Sequence, residues 1–251
     1  MKALNKVAEI TLLFWIMKVI ATTLGETMGD FLSMTLNLGY LTGIGITLAF
    51  FIVVLFVQLA SKTYMPVKYW LVIIATTTLG TEISDFMDRS LGLGYTLGSM
   101  ILLVLLMLTL LLWYTKYKNL QVYPLLDRNK EIYYWVAILF SNSLGTAFGD
   151  YLSDVVGLSY GVGALVTAGV IALVLLLHYF TNLNRVFLFW MAFVFTRPFG
   201  ATFGDLLTKP TSKGGLELGT LPATLVCIVL IGILIYVSHK RLVKGNHKEI
   251  A

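Results

Sequence analysis

Charged residues and cysteine are both scarce in this chain, and each scarcity excludes a class of protein. Only 12% of the 251 residues are charged and 58% are hydrophobic, whereas about a quarter of the residues in soluble domains are charged. Too little polar surface remains to cover a water-soluble fold. The single cysteine, Cys227, excludes an intrachain disulfide and lies in an apolar run, where a small buried side chain is its expected role.

Long apolar runs take the place of the missing charges. Each of them needs only a few flanking residues to reach the roughly 20 that cross a bilayer as a helix. The sequence therefore predicts an all-α, polytopic membrane helix bundle. Examples of these runs are residues 44–57, 100–113, 164–177 and 221–237.

One motif recurs four times without gaps, in the segments 15–30, 70–85, 135–150 and 190–205. Each copy begins with Trp, has Gly ten residues later and ends with Asp five residues after that Gly. A small residue precedes each Asp. Similarity at a fixed spacing indicates tandem structural repeats. In chain order the motif residues are Trp15, Trp70, Trp135 and Trp190; Gly25, Gly80, Gly145 and Gly200; Gly29, Ser84, Gly149 and Gly204; and Asp30, Asp85, Asp150 and Asp205.

A second, shorter pattern follows the motif in three copies, and a long apolar run follows in all four. Each repeat is therefore predicted to contain a helix with the motif, a short turn and a plainer second helix. The fourth copy lacks the tyrosine of this pattern. The three segments are Gly39-Tyr40-x-x-Gly43, Gly94-Tyr95-x-x-Gly98 and Ser159-Tyr160-x-x-Gly163.

The repeats predict about eight transmembrane helices within one domain, residues 1–251. The repeats themselves span about 5–64, 65–120, 130–184 and 185–240, with a linker at 116–131 between the halves. Two helices per repeat give all four copies the same orientation, as in transporters with parallel repeats. The longer central step favours a pseudo-two-fold axis between the halves. The predicted spans are 8–33, 38–60, 67–88, 94–115, 132–153, 159–180, 186–207 and 217–238.

Basic residues predict the orientation in the membrane. The positive-inside rule places the side richer in Lys and Arg in the cytoplasm, and that side holds both termini. The net charge of +5 is explained in this way without nucleic acid as a partner. The turns on the other side contain only Arg89, Lys209 and Lys213. The inner basic residues are Lys2, Lys6, Lys62, Lys68, Lys116, Lys118, Arg128, Lys130, Arg185, Lys240, Arg241, Lys244 and Lys248.

Four two-helix units, each with a Trp and a Gly-x-x-x-(Gly/Ser)-Asp signature, resemble the bacterial membrane-protein repeat family known as domain of unknown function 347. The resemblance covers essentially the whole chain. It implies the eight-helix layout and a bacterial inner membrane. It implies no activity, so a function must be inferred from the residues.

Polar residues accompany the motif Asp residues on one face of each helix. Residues four and seven positions before the Asp share its face. The fourth copy departs, with Ala201 and Pro198 at these positions and Arg197 beside them. In the other copies these positions hold Glu26 and Thr23 before Asp30, Thr81 and Thr78 before Asp85, and Thr146 and Ser143 before Asp150.

The four Asp residues are expected in the outer part of the membrane, where a carboxylate costs about 2–3 kcal/mol and so indicates a function. Together with the same-face hydroxyls they predict a cation site. No histidine or thiol lies near them, and an all-oxygen site suits Mg²⁺, Ca²⁺, Mn²⁺ or protons. The outer half also has a surplus of acids, which attracts cations. These acids are Glu26, Asp30, Glu82, Asp85, Asp88, Asp150, Asp154, Asp205 and Glu217.

A structural explanation remains open beside each functional one. The Asp residues would be solvated at helix ends or would bond amides of the next helix. Lys18 and Arg197, the basic residues inside spans, are expected to pair with nearby acids such as Glu26 or Asp205, or to act as built-in cations that a transported ion displaces. The small residues four apart are expected to pack helices closely. The motif Trp residues are expected to anchor the membrane interface or to stack on a substrate.

A small transporter or channel for a cation is the leading functional hypothesis. A membrane scaffold or partner subunit is the alternative. An intramembrane aspartyl enzyme is less favoured because the Gly-x-Gly-Asp motif of that family is missing, and an organic-substrate carrier has no motif in its favour. The lipid bilayer and a cation are the expected partners. We expect no cofactor, and nothing in the sequence indicates an oligomer.

Overall fold

The computed structural model describes residues 5–250, and side chains for residues 5–243. Within that range it contains α-helices, short turns and no strand, which confirms the all-α prediction. Lys2 and the side chains of Lys244 and Lys248 lie outside the described part. The helices are α1 (Leu12–Asp30), α2 (Tyr40–Ala60), α3 (Pro66–Asp85), α4 (Gly94–Tyr117), α5 (Arg128–Asp150), α6 (Tyr160–Phe180), α7 (Arg185–Thr208) and α8 (Thr220–Ile250).

Six of these helices are long and apolar enough to cross a membrane, namely α1, α2, α4, α6, α7 and α8. The exceptions, α3 and α5, have similar lengths of 20 and 23 residues. They are rich in buried hydroxyl, amide and carboxyl groups, which lower their apolar content. The structure thus supports a multi-pass membrane protein with its most polar helices inside.

The four helices that contain the motif, α1, α3, α5 and α7, contact one another in a closed ring. The other four, the peripheral helices, pack on the outside of this ring. Each peripheral helix packs chiefly on the motif helix of the following repeat: α2 on α3, α4 on α5 and α6 on α7. The last one, α8, packs on α1 and so joins the fourth repeat to the first. No repeat is therefore a self-contained unit.

The small residues of the motif allow this ring to close tightly. A Cβ atom added to Gly25 would overlap Thr77 of α3, and one added to Gly145 would overlap Arg197 of α7. Close backbone approach of this kind is the role of small residues in membrane helices. In chain order, the contacts of the motif glycines are Gly25 with Thr77, Gly29 with Thr81, Gly80 with Asn142 and Ser143, Gly145 with Arg197 and Pro198, Gly149 with Ala201, Gly200 with Thr22, and Gly204 with Glu26.

The motif Asp is the last α-helical residue in the first three repeats, and a π-helical turn follows it. These turns span Phe31–Thr35, Phe86–Ser90 and Tyr151–Val155. The fourth repeat lacks such a turn, because α7 continues beyond its Asp and the chain then folds back along it. In that loop the Leu216 amide donates to the Leu206 carbonyl at 2.7 Å. The loop places Lys209 beside the end of α1.

Helix α1 begins at Leu12 instead of 8. Two other helices extend beyond their predicted spans by four residues or more. Helix α5 begins at Arg128 instead of 132, because the Asp127 side chain caps it by accepting from the amides of Asn129 and Lys130. Helix α8 continues to Ile250 instead of ending near 238. Both extensions are polar, so the apolar pattern that located the spans does not reveal them.

Candidate functional site

The four motif Asp residues, here called the Asp ring, lie at the same end of the four motif helices. Their exposed fractions are between 1% and 3%, so they are buried and not solvated helix ends. The equivalent glycine contacts at neighbouring helices hold them at matching heights. The structure therefore brings together the four Asp residues that the motif predicts. They form two pairs, and a basic side chain lies between the two carboxylates of each pair.

Arg89 joins the first pair. Its guanidinium lies 3.2 Å from Asp150 on α5 and 3.6 Å from Asp85, four residues earlier in its own repeat. Tyr40 and Tyr95 hold the guanidinium from the peripheral helices, since Arg89 donates to their hydroxyls at 3.0 and 3.2 Å. These tyrosines belong to the shorter sequence pattern, which thus contributes to the same site.

Lys209 joins the second pair in the equivalent way. Its ammonium donates to Asp30 on α1 at 2.5 Å and lies 3.3 Å from Asp205, four residues earlier. Burial alone would lower the pKa of this amine, but Asp205 and Asp30 raise it well above its usual value. Lys209 is therefore a cation at neutral pH.

One group of carboxylates has the spacing of a metal site. Oxygen atoms of Glu26, Asp30 and Asp205 all lie within 4.8 Å of one another. Asp30 Oδ1 is buried and has no hydrogen-bond partner among the described residues. Hard cations take carboxylate oxygens as ligands, so these residues fit such an ion. In this structure the Lys209 ammonium lies at the edge of the group.

The Asp ring has more negative than positive charge. Among the residues that the structure describes, Arg89 and Lys209 are the two cations that face its four carboxylates. With every carboxylate ionised, the ring is two positive charges short of neutrality. One divalent cation or two protons would supply them. The side chains of Arg89 and Lys209 are 28% and 19% exposed, so the ring can be reached from this end.

A second charged layer lies one helical turn further in. Arg197 of α7 pairs with Glu26 of α1 at 2.9 Å and also donates to the Thr81 hydroxyl at 2.5 Å. The guanidinium is fully buried. Arg197 is thus the charge partner of Glu26, and Asp205 pairs with Lys209 instead.

Lys18 lies deeper still and has no carboxylate partner. Its ammonium donates to Asn142 Oδ1 at 3.0 Å and lies 4.0 Å from the centre of the Phe193 ring. No carboxylate of the described residues lies within 4.0 Å of it. The pairing of Lys18 with Glu26 or an Asp, expected from sequence, is absent here: Glu26 lies eight residues, about 12 Å, further along α1 and pairs with Arg197 instead.

The hydroxyl residues of the predicted stripe are all buried, but most of them bond within their own helices. Thr23, Thr78, Ser143 and Thr146 each donate to the carbonyl four residues earlier. Thr81 also contacts a neighbouring helix, through its bond to the Gly25 carbonyl at 3.2 Å. The Thr81 oxygen already accepts from Arg197, whereas the oxygen lone pairs of the other four hydroxyls remain available as acceptors.

The motif Trp residues lie at the opposite end of the ring, among other aromatic side chains. Trp70, Trp135 and Trp190 are buried, and only Trp15 is partly exposed. Trp135, for example, packs against Tyr69 and Tyr134, whose hydroxyls are 2.5 Å apart. Protein contacts therefore replace the lipid contacts that the sequence predicts for three of the four.

A buried ion pair closes this Trp end of the bundle. Lys6, ahead of α1, pairs with Glu131 in the first turn of α5. Gln58 of α2 donates to Glu131 at 2.9 Å and to the Lys6 carbonyl at 3.0 Å. Lys6 is thus part of the fold and not a free charge at the membrane surface.

Three features of this site differ from the sequence predictions. Arg89 and Lys209 are predicted only as outer basic residues, although each follows a motif Asp by four positions, the spacing of neighbours on a helix. Glu131 is predicted in the linker. Asn142 is predicted without a role, but it contacts Lys18 from a position where the other motif helices have Thr or Arg.

Comparisons with known proteins find the repeats independently. A family model described as Repeat of Unknown Function (DUF347) matches four times, over residues 13–64, 68–119, 133–184 and 188–241. The four matches correspond to the four units of one motif helix and one peripheral helix. No curated protein and no solved structure matches the chain.

Proposed function

The chain belongs to the DUF347 repeat family, and we propose that it is a membrane carrier for a small cation, either a proton or a hard divalent metal ion. The observation that supports this most is the charge of the Asp ring. Four buried carboxylates face two cations, and the deficit of two charges matches one divalent ion or two protons. Buried intramembrane carboxylates are expensive to maintain and typically mark ion or proton pathways.

The proposal includes a location and an orientation. We place all eight helices across a bacterial inner membrane, with α3 and α5 spanning because they lie between spanning neighbours and match them in length. The excess of Lys and Arg beside both termini puts the termini in the cytoplasm. The Asp ring then faces the periplasm.

In the proposed mechanism an incoming cation competes with the built-in ones. An ion that enters between Asp30 and Asp205 would displace the Lys209 ammonium, which is tethered to a loop and partly exposed. A carrier is favoured over an open channel because the fully buried Arg197 of α7 bonds to Glu26 of α1 and to Thr81 of α3, and so blocks an axial path below the Asp ring. Transport then requires the helices to move apart on one side and close on the other.

A membrane scaffold is the second candidate, and one observation favours it. Every member of the Asp ring already has a basic side chain within 3.6 Å. Two of these ion pairs join different repeats, so the ring would also stabilise the packing of the repeats against one another. An aspartyl enzyme is less supported, because its two carboxylates share a proton. In this structure a guanidinium separates Asp85 from Asp150.

Purified protein in proteoliposomes tests the proposal. Uptake of Mg²⁺, Ca²⁺ and Mn²⁺, and of protons under an imposed gradient, should exceed uptake by empty liposomes for at least one of these ions. Equal uptake by both preparations for all four ions would reject the carrier and favour the scaffold.

A further inference from the structure

Lys18 is the one fully buried amine among the described residues that lacks an acid partner. An ammonium group has three donors and a full charge. Around Lys18 the structure provides one amide oxygen, of Asn142 at 3.0 Å, and one ring face, of Phe193. The amide orientation is fixed from the other side, since Asn142 Nδ2 donates to Thr76 Oγ1 at 3.1 Å. One hydrogen bond and a ring do not replace the water shell of an ammonium.

The neighbouring charges also oppose an ammonium at this position. Arg197 of α7 opposes a positive charge on Lys18, because its guanidinium has the same sign. Helix α5 contributes the neutral Asn142 here and α3 the neutral Thr76. Glu26, the acid further along α1 itself, is held by Arg197 at 2.9 Å.

The remaining titratable groups on the helices around Lys18 lie at other heights or face away from the ring, as Tyr236 of α8 does with 66% of its surface exposed. On α8 the Cys227 thiol is nearer the Asp end, because that helix starts there with Thr220 against Thr35. On α3 and α5 the hydroxyls of Tyr69 and Tyr134 lie towards the Trp end. None of them is positioned to neutralise an ammonium at Lys18.

We propose that Lys18 is a neutral amine in this state and forms the proton-binding site in the middle of the membrane, so that the transported cation is a proton. This inference rests on the proposed function and specifies its substrate. A proton from the Asp side adds to the lone pair of Nζ and forms an ammonium. The ammonium then releases a proton towards the Trp end and returns to the amine, and no other bond forms or breaks.

Three substitutions separate the proposal from a structural role for Lys18. Lys18→Met removes the amine but retains the length and apolar contacts of the side chain. Lys18→Arg introduces a group that is always charged. Lys62→Gln is the matched control, because Lys62 is an exposed lysine between α2 and α3. Each variant of the full chain is purified, melted in detergent and reconstituted with a trapped pH-sensitive dye.

Under an imposed membrane potential, wild type and Lys62→Gln should carry protons at equal rates. Lys18→Met should lose about 100-fold or more of that rate, the size of effect typical of losing a positioned acid–base group. It should melt at or above the wild-type temperature, whereas Lys18→Arg should melt below it, since a permanent charge would then be buried without a partner.

Two results would overturn the role of Lys18. One is a Lys18→Met protein with wild-type proton flux. The other is Lys18→Arg melting like wild type while Lys18→Met melts lower, which would show that the native group is an ammonium. If wild type carries Mg²⁺, Ca²⁺ or Mn²⁺ but no protons, this inference fails and the proposed function stands. If no cation crosses, both fail.

Discussion

Arg89 and Asp150 form an ion pair of 3.2 Å between the second and third repeats. Its counterpart is the pair of Lys209 with Asp30, at 2.5 Å between the fourth repeat and the first. In both cases the cation lies four residues after its own motif Asp and reaches the Asp of the next repeat. The glycine contacts between neighbouring motif helices occur four times around the ring, whereas the ion pair between neighbouring repeats occurs twice. This pattern of charges fits the pseudo-two-fold relation that the longer central linker predicts.

Removal of either bridging cation should destabilise the folded protein by a similar amount. Arg89→Gln and Lys209→Gln each leave buried carboxylates without a partner, which for partly exposed cations should cost about 1–3 kcal/mol. Thermal unfolding in detergent measures the effect. Lys213→Gln is the control because Lys213 is an exposed lysine at the same end. Unchanged melting in both bridge variants would mean that the pairs contribute nothing to stability.

The effect of Lys209 should persist into the alkaline range. The pKa of this amine is raised in the fold, so its stabilisation is complete below the unfolded value of about 10.4 and is lost only above it. The difference in melting temperature between wild type and Lys209→Gln should therefore be the same at about pH 7 and about pH 9. Loss of the difference by pH 9 would show that the amine is not held as a cation.

Closure of the ring should depend on its glycines. Gly145→Leu and Gly200→Leu insert side chains where Arg197 and Thr22 already lie, and overpacking of this kind costs about 1–3 kcal/mol or more. Gly169→Leu on α6 is the control, since open space surrounds that position. If the two ring variants melt like the control, the helices do not approach as closely as described.

Much of this architecture could be predicted from the sequence, because it follows from local patterns. The motif spacing located Asp30 and its three equivalents, and small residues four apart indicated close packing. Contacts between distant segments could not be predicted in this way. Lys6 meets Glu131 across 125 residues, and Lys209 meets Asp30 across 179. Only the packing of the four motif helices into a ring brings such groups together.

The same reason explains why the partners of the buried cations were not predicted. On α1 alone, Lys18 and Glu26 lie on one face and would be expected to pair. In the ring, Arg197 lies between neighbouring helices at the height of Glu26 and forms that pair instead. The motif Trp residues illustrate the point for apolar groups, because the ring turns Trp70 and Trp135 inwards onto other aromatic side chains.

Topology is directly testable with cysteine labelling. Replacing Cys227 by Ala removes the single native thiol. New cysteines after residues 63, 120 and 183 should react with an impermeant reagent only from the cytoplasmic side, and one at position 213 only from the periplasmic side. Periplasmic labelling at any of the first three sites would contradict the orientation.

Cation flux through variants of the Asp ring measures most directly whether the ring binds the transported cation. Asp30→Asn and Asp150→Asn each remove one carboxylate from a different bridge, and Glu217→Gln removes an exposed acid at the same end as a control. All are compared in proteoliposomes after thermal unfolding has shown that they fold. Both ring variants should lose about 100-fold or more of the cation flux, while Glu217→Gln should retain it. Wild-type flux through folded Asp30→Asn and Asp150→Asn proteins would contradict binding of the transported cation by the ring.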